Sequence, residues 1–423
     1  MDTWATLESH SIFFDHIRKM GSGNHTLEFK LMSSNENANI QKFGKYFYDN
    51  IILMAPTAKK LPADMSISSL LDFVDAQHNI MIFLNNESRK ISRDIANEFG
   101  VDLEEQGFSV QGGEPAKNTA TTAFSSQGVA WSQNLFAPLE RVMTPLSRPV
   151  LFEDGIGMVL DSFTNNQHVF PVLSGDVGTY SKNIDSNGDS SVSISSGNQL
   201  TLVAGYQTHY NQRISMVGSI KMCSNSAMLA NRDKTQGETL ESSPNYQLCS
   251  ELVEWNMQER GVLKVENVRH RKVGDDFGEK NPENYKRLVD IEYMIDIYHK
   301  VNGQWVPFVS DDVQFQFIML DPYYQDALTQ TDKSSATYSY KLKTPWRLGI
   351  FNFRIDYKRY GLSYIDNRME VSVIQLRHDE FPRFETIGYP YFLTVFVLMA
   401  GSFLFVISFA YSDFSGVKGV KSD

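Results

Sequence analysis

The sequence predicts an α/β N-terminal domain on a mostly parallel sheet, then a β-sandwich, then one transmembrane helix. Three observations carry this. Short apolar strands alternate with amphipathic helices up to residue 260; apolar and polar residues alternate strictly after 261; and PYFLTVFVLMAGSFLFVISFAY fills 390–411. Strands separated by helices imply a sheet covered on both faces, whereas period-two alternation implies sheets with one face buried. The expected divisions are 1–260, 261–388, 389–411 and a tail at 412–423.

In order along the chain, ESHSIFFDHIRKMG places Ile12, Phe13, Ile17 and Met20 on one helical face, with Gly21 as the stop. YDNIILMAP contains a buried strand, SISSLLDFVDAQ a second helix, NIMIFL a second strand and SRDIANEFG a helix closed by Gly100. The stretch 105–185 is rich in Gly, Ser, Thr and Asn and reads as loops and strand excursions. QLTLVAGY and RISMVGSI follow as strands, then NYQLCSELVEWNMQERG as a helix ending at Gly261. Beyond it, RLVDIEYMIDIYHKVNGQWVPF reads as a hairpin turning at Asn302-Gly303, and DDVQFQFIMLDP puts Val313, Phe315, Phe317 and Met319 on one side. YSYKLKTP, GIFNFRIDYKRYG and MEVSVIQL continue the pattern, and no repeat of fixed period is present.

The segment from Tyr391 to Tyr411 lacks Asp, Glu, Lys, Arg and His. At 1.5 Å per residue it spans roughly 30 Å, the thickness of a hydrocarbon core. Tyr389, Tyr391 and Tyr411 fit the interfacial aromatic belt, and Gly401 and Ser402, beside Ala400, form a small face for helix packing. Arg377 and Arg383 before the span balance Lys418 and Lys421 after it, so positive charge does not set the orientation. MDTWATLESHSIFF has no basic region followed by an apolar one, which taken literally gives a tail-anchored protein.

Composition narrows the function. Net charge is −11 and Lys/Arg runs are short, which excludes nucleic acid as the main partner. An α/β domain of this type is also found in glutamine amidotransferases, where a cysteine nucleophile sits on a sharp turn flanked by small residues. Neither KMCSNS (Cys223) nor QLCSEL (Cys249) has that setting; the two cysteines are either a disulfide or two separately buried thiols. The nine histidines show no metal-ligand spacing. NIDSNGDSSVSI begins like an EF-hand loop but has Ile194 where the last carboxylate belongs, and Gly155 and Gly157 lack the third glycine of a dinucleotide fingerprint. Asp275-Asp276 and Asp311-Asp312 read as solvated strand ends. No cofactor or active-site constellation is expected. Two glycosylation sequons are present, at Asn24 and Asn86.

Several of these stretches together resemble one family, the 48-kilodalton subunit of the oligosaccharyltransferase complex. They are ESHSIFFDHIRKMG with FGKYFYDNIILMAP, RPVLFEDGIGMVLD, LTLVAGYQ with ISMVGSI, GVLKVENVRHRKVG, NGQWVPFVSDDVQFQFIMLDP, FNFRIDYKRYGLSYI and RFETIGYPYF, in order along the chain. The resemblance implies a lumenal amidotransferase-like domain without catalytic residues, a β-sandwich, one membrane helix and a short cytosolic tail, in the endoplasmic reticulum membrane. It implies partners: a separate catalytic subunit, ribophorin-like subunits and small membrane subunits. The complex transfers a preassembled oligosaccharide from dolichyl pyrophosphate to Asn of N-x-S/T.

Two departures stand out. Only MDTW precedes the first helix where the family has a signal peptide and a first strand, so the N-terminus is expected to be incomplete. Family tails resemble a dilysine retrieval signal, whereas here Lys421 is third from the end, Gly419 fifth, and Lys418 one place further out. The reading is therefore a non-catalytic scaffold subunit; the rival is a tail-anchored cytosolic enzyme of amidotransferase type.

Overall fold

The computed structural model describes residues 5–20, 25–31, 39–62, 65–112, 128–160, 167–183, 192–230, 242–276, 278, 280–331, 335–381 and 386–412. In the N-terminal part, helix α1 (Ser11–Lys19) is followed by β1 (Asn50–Leu53), α2 (Ile67–Asp75), β2 (Asn79–Phe83), α3 (Lys90–Glu98) and β3 (Val101–Leu103). Then come β4 (Asn134–Leu135), β5 (Met158–Leu160), β6 (Val169–Ser174), β7 (Thr201–Gln207), β8 (Arg213–Val217) and α4 (Pro244–Asn256).

These strands form one eight-stranded sheet in the order β1-β2-β8-β7-β5-β3, with β6 pairing β7 and β4. Only β1 with β2 and β2 with β8 run parallel; the other pairings are antiparallel. The expected mostly parallel sheet is thus corrected to a mixed one. The reason lies between β7 and β8, where Thr208–Gln212 is too short for the dozen or more residues of a parallel crossover and makes a hairpin instead. Elsewhere local signals hold. Ser66 caps α2 by accepting from Ser69 N at 3.1 Å while Ser69 Oγ accepts from Ser66 N at 2.8 Å, a capping box that contributes about 1 kcal/mol. Leu70, Phe73 and Val74 bury the inner face of α2. Phe13, Phe14 and Ile17 do the same for α1, with Ile12 half-buried at its margin.

The C-terminal part is sheet-rich: β9 (Leu263–Lys272), β10 (Asn284–Lys286), β11 (Asp290–Val301), β12 (Gln304–Pro307), β13 (Gln314–Ile318), β14 (Pro322–Ala327), β15 (Thr329–Gln330), β16 (Thr337–Lys343), β17 (Gly349–Tyr357) and β18 (Ile365–Ile374). One sheet runs β9-β11-β16-β15 with β12 beside β11; the other runs β10-β18-β17-β13-β14. They pack through aromatic rings: Tyr293 of β11 lies 4.9 Å from Phe315 of β13 and 5.1 Å from Phe353 of β17 between centroids. Asn302 and Gly303, at φ 49° and 77°, make the predicted two-residue turn between β11 and β12. Helix α5 (Tyr389–Tyr411) closes the described chain.

His270, on β9, is buried with its Nδ1 2.6 Å from Tyr285 Oη and its ring 4.9 Å from Phe353. Burial pushes its pKa down to about 4. Folding therefore favours the neutral ring, and stability is lost as pH falls from about 6.5, the unfolded value, toward 4. Between pH 7.5 and pH 5 the native chain should lose about 2 kcal/mol more than a His270→Gln variant. Thermal melts at the two pH values check this; equal losses would assign the acid sensitivity to another group.

Candidate functional site

In open α/β sheets ligands bind beyond the carboxyl ends of the parallel strands. Here backbone hydrogen bonds of the chain itself cross that crevice. Leu84 N donates to Val217 O (2.8 Å), Ile220 N to Leu84 O (2.9 Å), Asn86 N to Asp154 O (3.2 Å) and Gly107 N to Asn86 O (3.0 Å). A Cβ on Gly218 would come within 2.6 Å of Ile156 O, so the backbones could approach this closely only with glycine there. Ser88 is fully buried, its hydroxyl accepting from Asn85 N at 2.9 Å and donating to Asn85 Oδ1 at 3.3 Å. Lys221 is paired with Asp154 and, at 3.1 Å, with Glu153. No group of three His, Cys, Asp or Glu side chains placed to hold a metal occurs among the described residues. A cavity of about 310 Å³ lies instead along the outer edge of β1, lined by Phe14, Ile17, Leu27, Phe29 and Met54 among others.

The predicted site residues are scattered. Cys223 and Cys249 are joined in a disulfide with Cα atoms 5.9 Å apart, tying the turn after β8 to α4. Asn86 is half-buried in the turn after β2. Gly401 and Ser402 lie on α5, where nothing stands within 4 Å of the place a Gly401 Cβ would occupy, and Ser402 Oγ donates to Met399 O at 2.9 Å. Within Thr386–Tyr411 the most apolar 18-residue window has mean hydropathy 2.4, and no part of it is buried. Asn24, Lys418 and Lys421 fall outside the described residues, as does the middle of the EF-hand-like stretch, 184–191.

Two clusters join the N-terminal part to the sheet pair, and neither was read from the sequence. Arg213, the first residue of β8, is completely buried. Its guanidinium donates to Asn211 Oδ1 (3.0 Å), Trp255 O (2.7 Å), Arg260 O (2.6 Å) and Gly261 O (2.8 Å) and lies over the Trp255 ring. No carboxylate pairs with it among the described residues. Carbonyls at the C-terminal end of α4 (Trp255) and just beyond it (Arg260, Gly261) take its donors, where the helix dipole is negative. Burial lowers its pKa to about 9. Around it, Trp255 Nε1 donates to Gly361 O (2.9 Å) and Gln207 Nε2 to Leu362 O (2.9 Å).

The second cluster corrects the reading of Asp312 as a solvated strand end. Its carboxylate accepts from Arg141 (2.9 Å), Arg359 Nε (2.9 Å), Tyr357 Oη (3.0 Å) and Ser310 Oγ. Burial opposes its ionisation, but the donors from Ser310, Arg141, Arg359 and Tyr357 outweigh that and hold the carboxyl well below the usual range. Arg141 belongs to the N-terminal part and the other three to the sheet pair. The only sequence signal for Arg213 is a cation opening an otherwise apolar strand; for Asp312 there is none.

Two family models match the chain: the OST48 N-terminal domain over residues 1–259 and the OST48 middle domain over residues 270–413. The chain belongs to the OST48 family. It is 31% identical over 419 residues to the dolichyl-diphosphooligosaccharide–protein glycosyltransferase 48 kDa subunit of Arabidopsis thaliana, covering 97% of this chain and 91% of the relative. The proteins of the same description in Danio rerio and Caenorhabditis elegans are each 30% identical, covering 95% and 99% of this chain and 88% and 92% of the relatives. A likeness to α-L-fucosidase isoenzyme 2 from Paenibacillus thiaminolyticus has a TM-score of 0.24 at 9% identity, covers 70% of this chain and 40% of that one, and carries no argument. Within the OST48 family, then, this member has a strand-end crevice crossed by backbone hydrogen bonds, a disulfide, a two-part joint and one apolar helix.

Proposed function

We propose that the chain is a non-catalytic, type I membrane subunit of the oligosaccharyltransferase complex, which transfers a preassembled oligosaccharide from dolichyl pyrophosphate to Asn of N-x-S/T. The observation that carries the reading is the likeness to 48 kDa subunits over nearly the whole chain, ending in one apolar helix of bilayer length. Support for an accessory role comes from the strand-end crevice: backbone hydrogen bonds cross it, and two buried hydroxyls there are engaged, Ser88 with Asn85 and Ser219 with Glu153 O.

The lumenal part of the proposal comprises an amidotransferase-like domain (1–260) and a β-sandwich domain (261–388), followed by the span (389–411) and a cytosolic tail (412–423) bearing Lys418 and Lys421. The Cys223–Cys249 disulfide favours an oxidising compartment, and hence the endoplasmic reticulum lumen, over the cytosol. It also takes both thiols away from the rival, a tail-anchored amidotransferase-type enzyme needing a thiolate nucleophile. In this setting the sequons Asn24 and Asn86 face the glycosylating lumen. Ser88 is buried, so glycan addition at Asn86 must precede folding of that turn.

The partners are a separate catalytic subunit, ribophorin-like subunits and small membrane subunits. Gly401 and Ser402 are the proposed contact on α5, where small residues let a partner helix approach. Depleting the chain should leave N-x-S/T acceptors under-glycosylated, read as a mobility shift of a reporter; full glycosylation without it would overturn the reading. Gly401→Leu should reduce recovery of partner subunits about tenfold, the equivalent of about 1.4 kcal/mol at a helix interface, while the chain's melting transition stays in place. Unchanged recovery would remove Gly401 from the interface.

A further inference from the structure

We propose that one end of the sheet pair docks into the headgroup layer of the bilayer that α5 crosses. Strand register defines that end. Lys286 of β10 pairs with Ile374 of β18, Gly349 of β17 with Val373, and Ile318 of β13 with both Asn352 and Pro322. The loop from β16 to β17 closes the same end, since Thr344 Oγ1 donates to Lys286 O at 2.8 Å.

Large apolar side chains crowd this end and are left in water: Leu320 is 89% exposed, Trp346 64%, Ile350 60%, Ile374 44% and Leu348 43%. Cations stand among them. Arg287 lies 3.9 Å over the Trp346 ring and 5.4 Å from that of Phe381, and Arg347 donates to Tyr323 Oη at 3.4 Å. Asp321 is the carboxylate beside Leu320. Aliphatic tips with Trp, Tyr and Arg are the mixture that suits a bilayer interface, where rings and guanidinium groups meet headgroups while apolar ends enter the acyl boundary.

Chain connectivity selects lipid as the occupant. The segment leaving β18 is fastened to this same end: Arg287 N donates to Ile374 O at 3.1 Å, Lys286 is paired with Glu380, and Phe381 packs on Arg287. From Phe381 to the first residue of α5, Tyr389, is eight residues, which reach at most about 28 Å. The exposed end is therefore leashed to within that distance of the membrane surface. Trp305, the other exposed tryptophan of the sheet pair, lies at the opposite end, beyond Val301.

The proposal rests on α5 spanning the bilayer, and the test separates the two. The full chain is placed in phosphatidylcholine vesicles with and without acyl chains brominated near the headgroup, and tryptophan emission is read. Bromolipid should quench the native chain; Trp346→Phe should lose that quenching, Trp305→Phe should keep it, and all three should float with the vesicles. Equal quenching of the native chain and Trp346→Phe would overturn the proposal, whereas failure to float would instead overturn the span. In the assembled complex in native membranes, a photoreactive residue at Leu320 should capture phospholipid; capture of a protein would show that a partner subunit, not lipid, covers this end.

Discussion

Arg213→Leu should lower the stability of the chain by about 4 kcal/mol, because four hydrogen bonds from one charged donor, each worth about 1.5–3 kcal/mol, are lost at once, offset in part where Trp255 O keeps Gln258 N, Gly261 O keeps Ser363 N and Asn211 Oδ1 keeps Gln207 Nε2. At about 2–4 °C per kcal/mol for a part of this size, the melting temperature should fall by roughly 10 °C. Arg213→Lys should rescue little, since one ammonium cannot reach the Trp255, Arg260 and Gly261 carbonyls from a single position as the planar fork does. Scanning calorimetry of the full chain in detergent checks both variants. A fall under about 1 kcal/mol would mean that water replaces the guanidinium, and the joint would lose its central element. Cooperativity should change too: the linkage of Trp255 and Gln207 to Gly361 and Leu362 predicts that native melting couples the two parts and that Arg213→Leu separates them.

The second large effect is expected from the disulfide. Cys223 and Cys249 are 26 residues apart, and opening a loop of that length costs about 3.5 kcal/mol in the chain-entropy model. The double variant Cys223→Ala/Cys249→Ala should melt at correspondingly lower temperature and be indifferent to reductant. The native chain should be lowered by reductant only after it has unfolded, because both cysteines are fully buried. Equal melting of native and double-variant chains would show that the cross-link contributes nothing.

What the sequence disclosed and what it withheld follow from range. Helices α1, α2, α3 and α4, strands β1 and β2, and the Asn302-Gly303 turn were all readable, because periodicity, caps and φ > 0 residues act within a few positions. Strand direction was misjudged because alternating strands and helices suggested crossovers, while the deciding fact was the length of one loop, Thr208–Gln212. The Asp312 cluster was invisible: it assembles Arg141, Tyr357 and Arg359 from positions up to 218 residues apart, and isolated charged residues look solvated in a linear reading. Arg213 was passed over inside RISMVGSI because apolar neighbours mark a strand without saying what a buried cation at its start will meet.

The central claim is membership of the oligosaccharyltransferase complex without a share in its chemistry. It is tested most directly by tagging the full-length chain, solubilising membranes in mild detergent and weighing what co-purifies by mass spectrometry. The account predicts the catalytic oligosaccharyltransferase subunit and the ribophorin-like subunits in near-equal amounts. Recovery of the chain alone, or with cytosolic proteins, would contradict it.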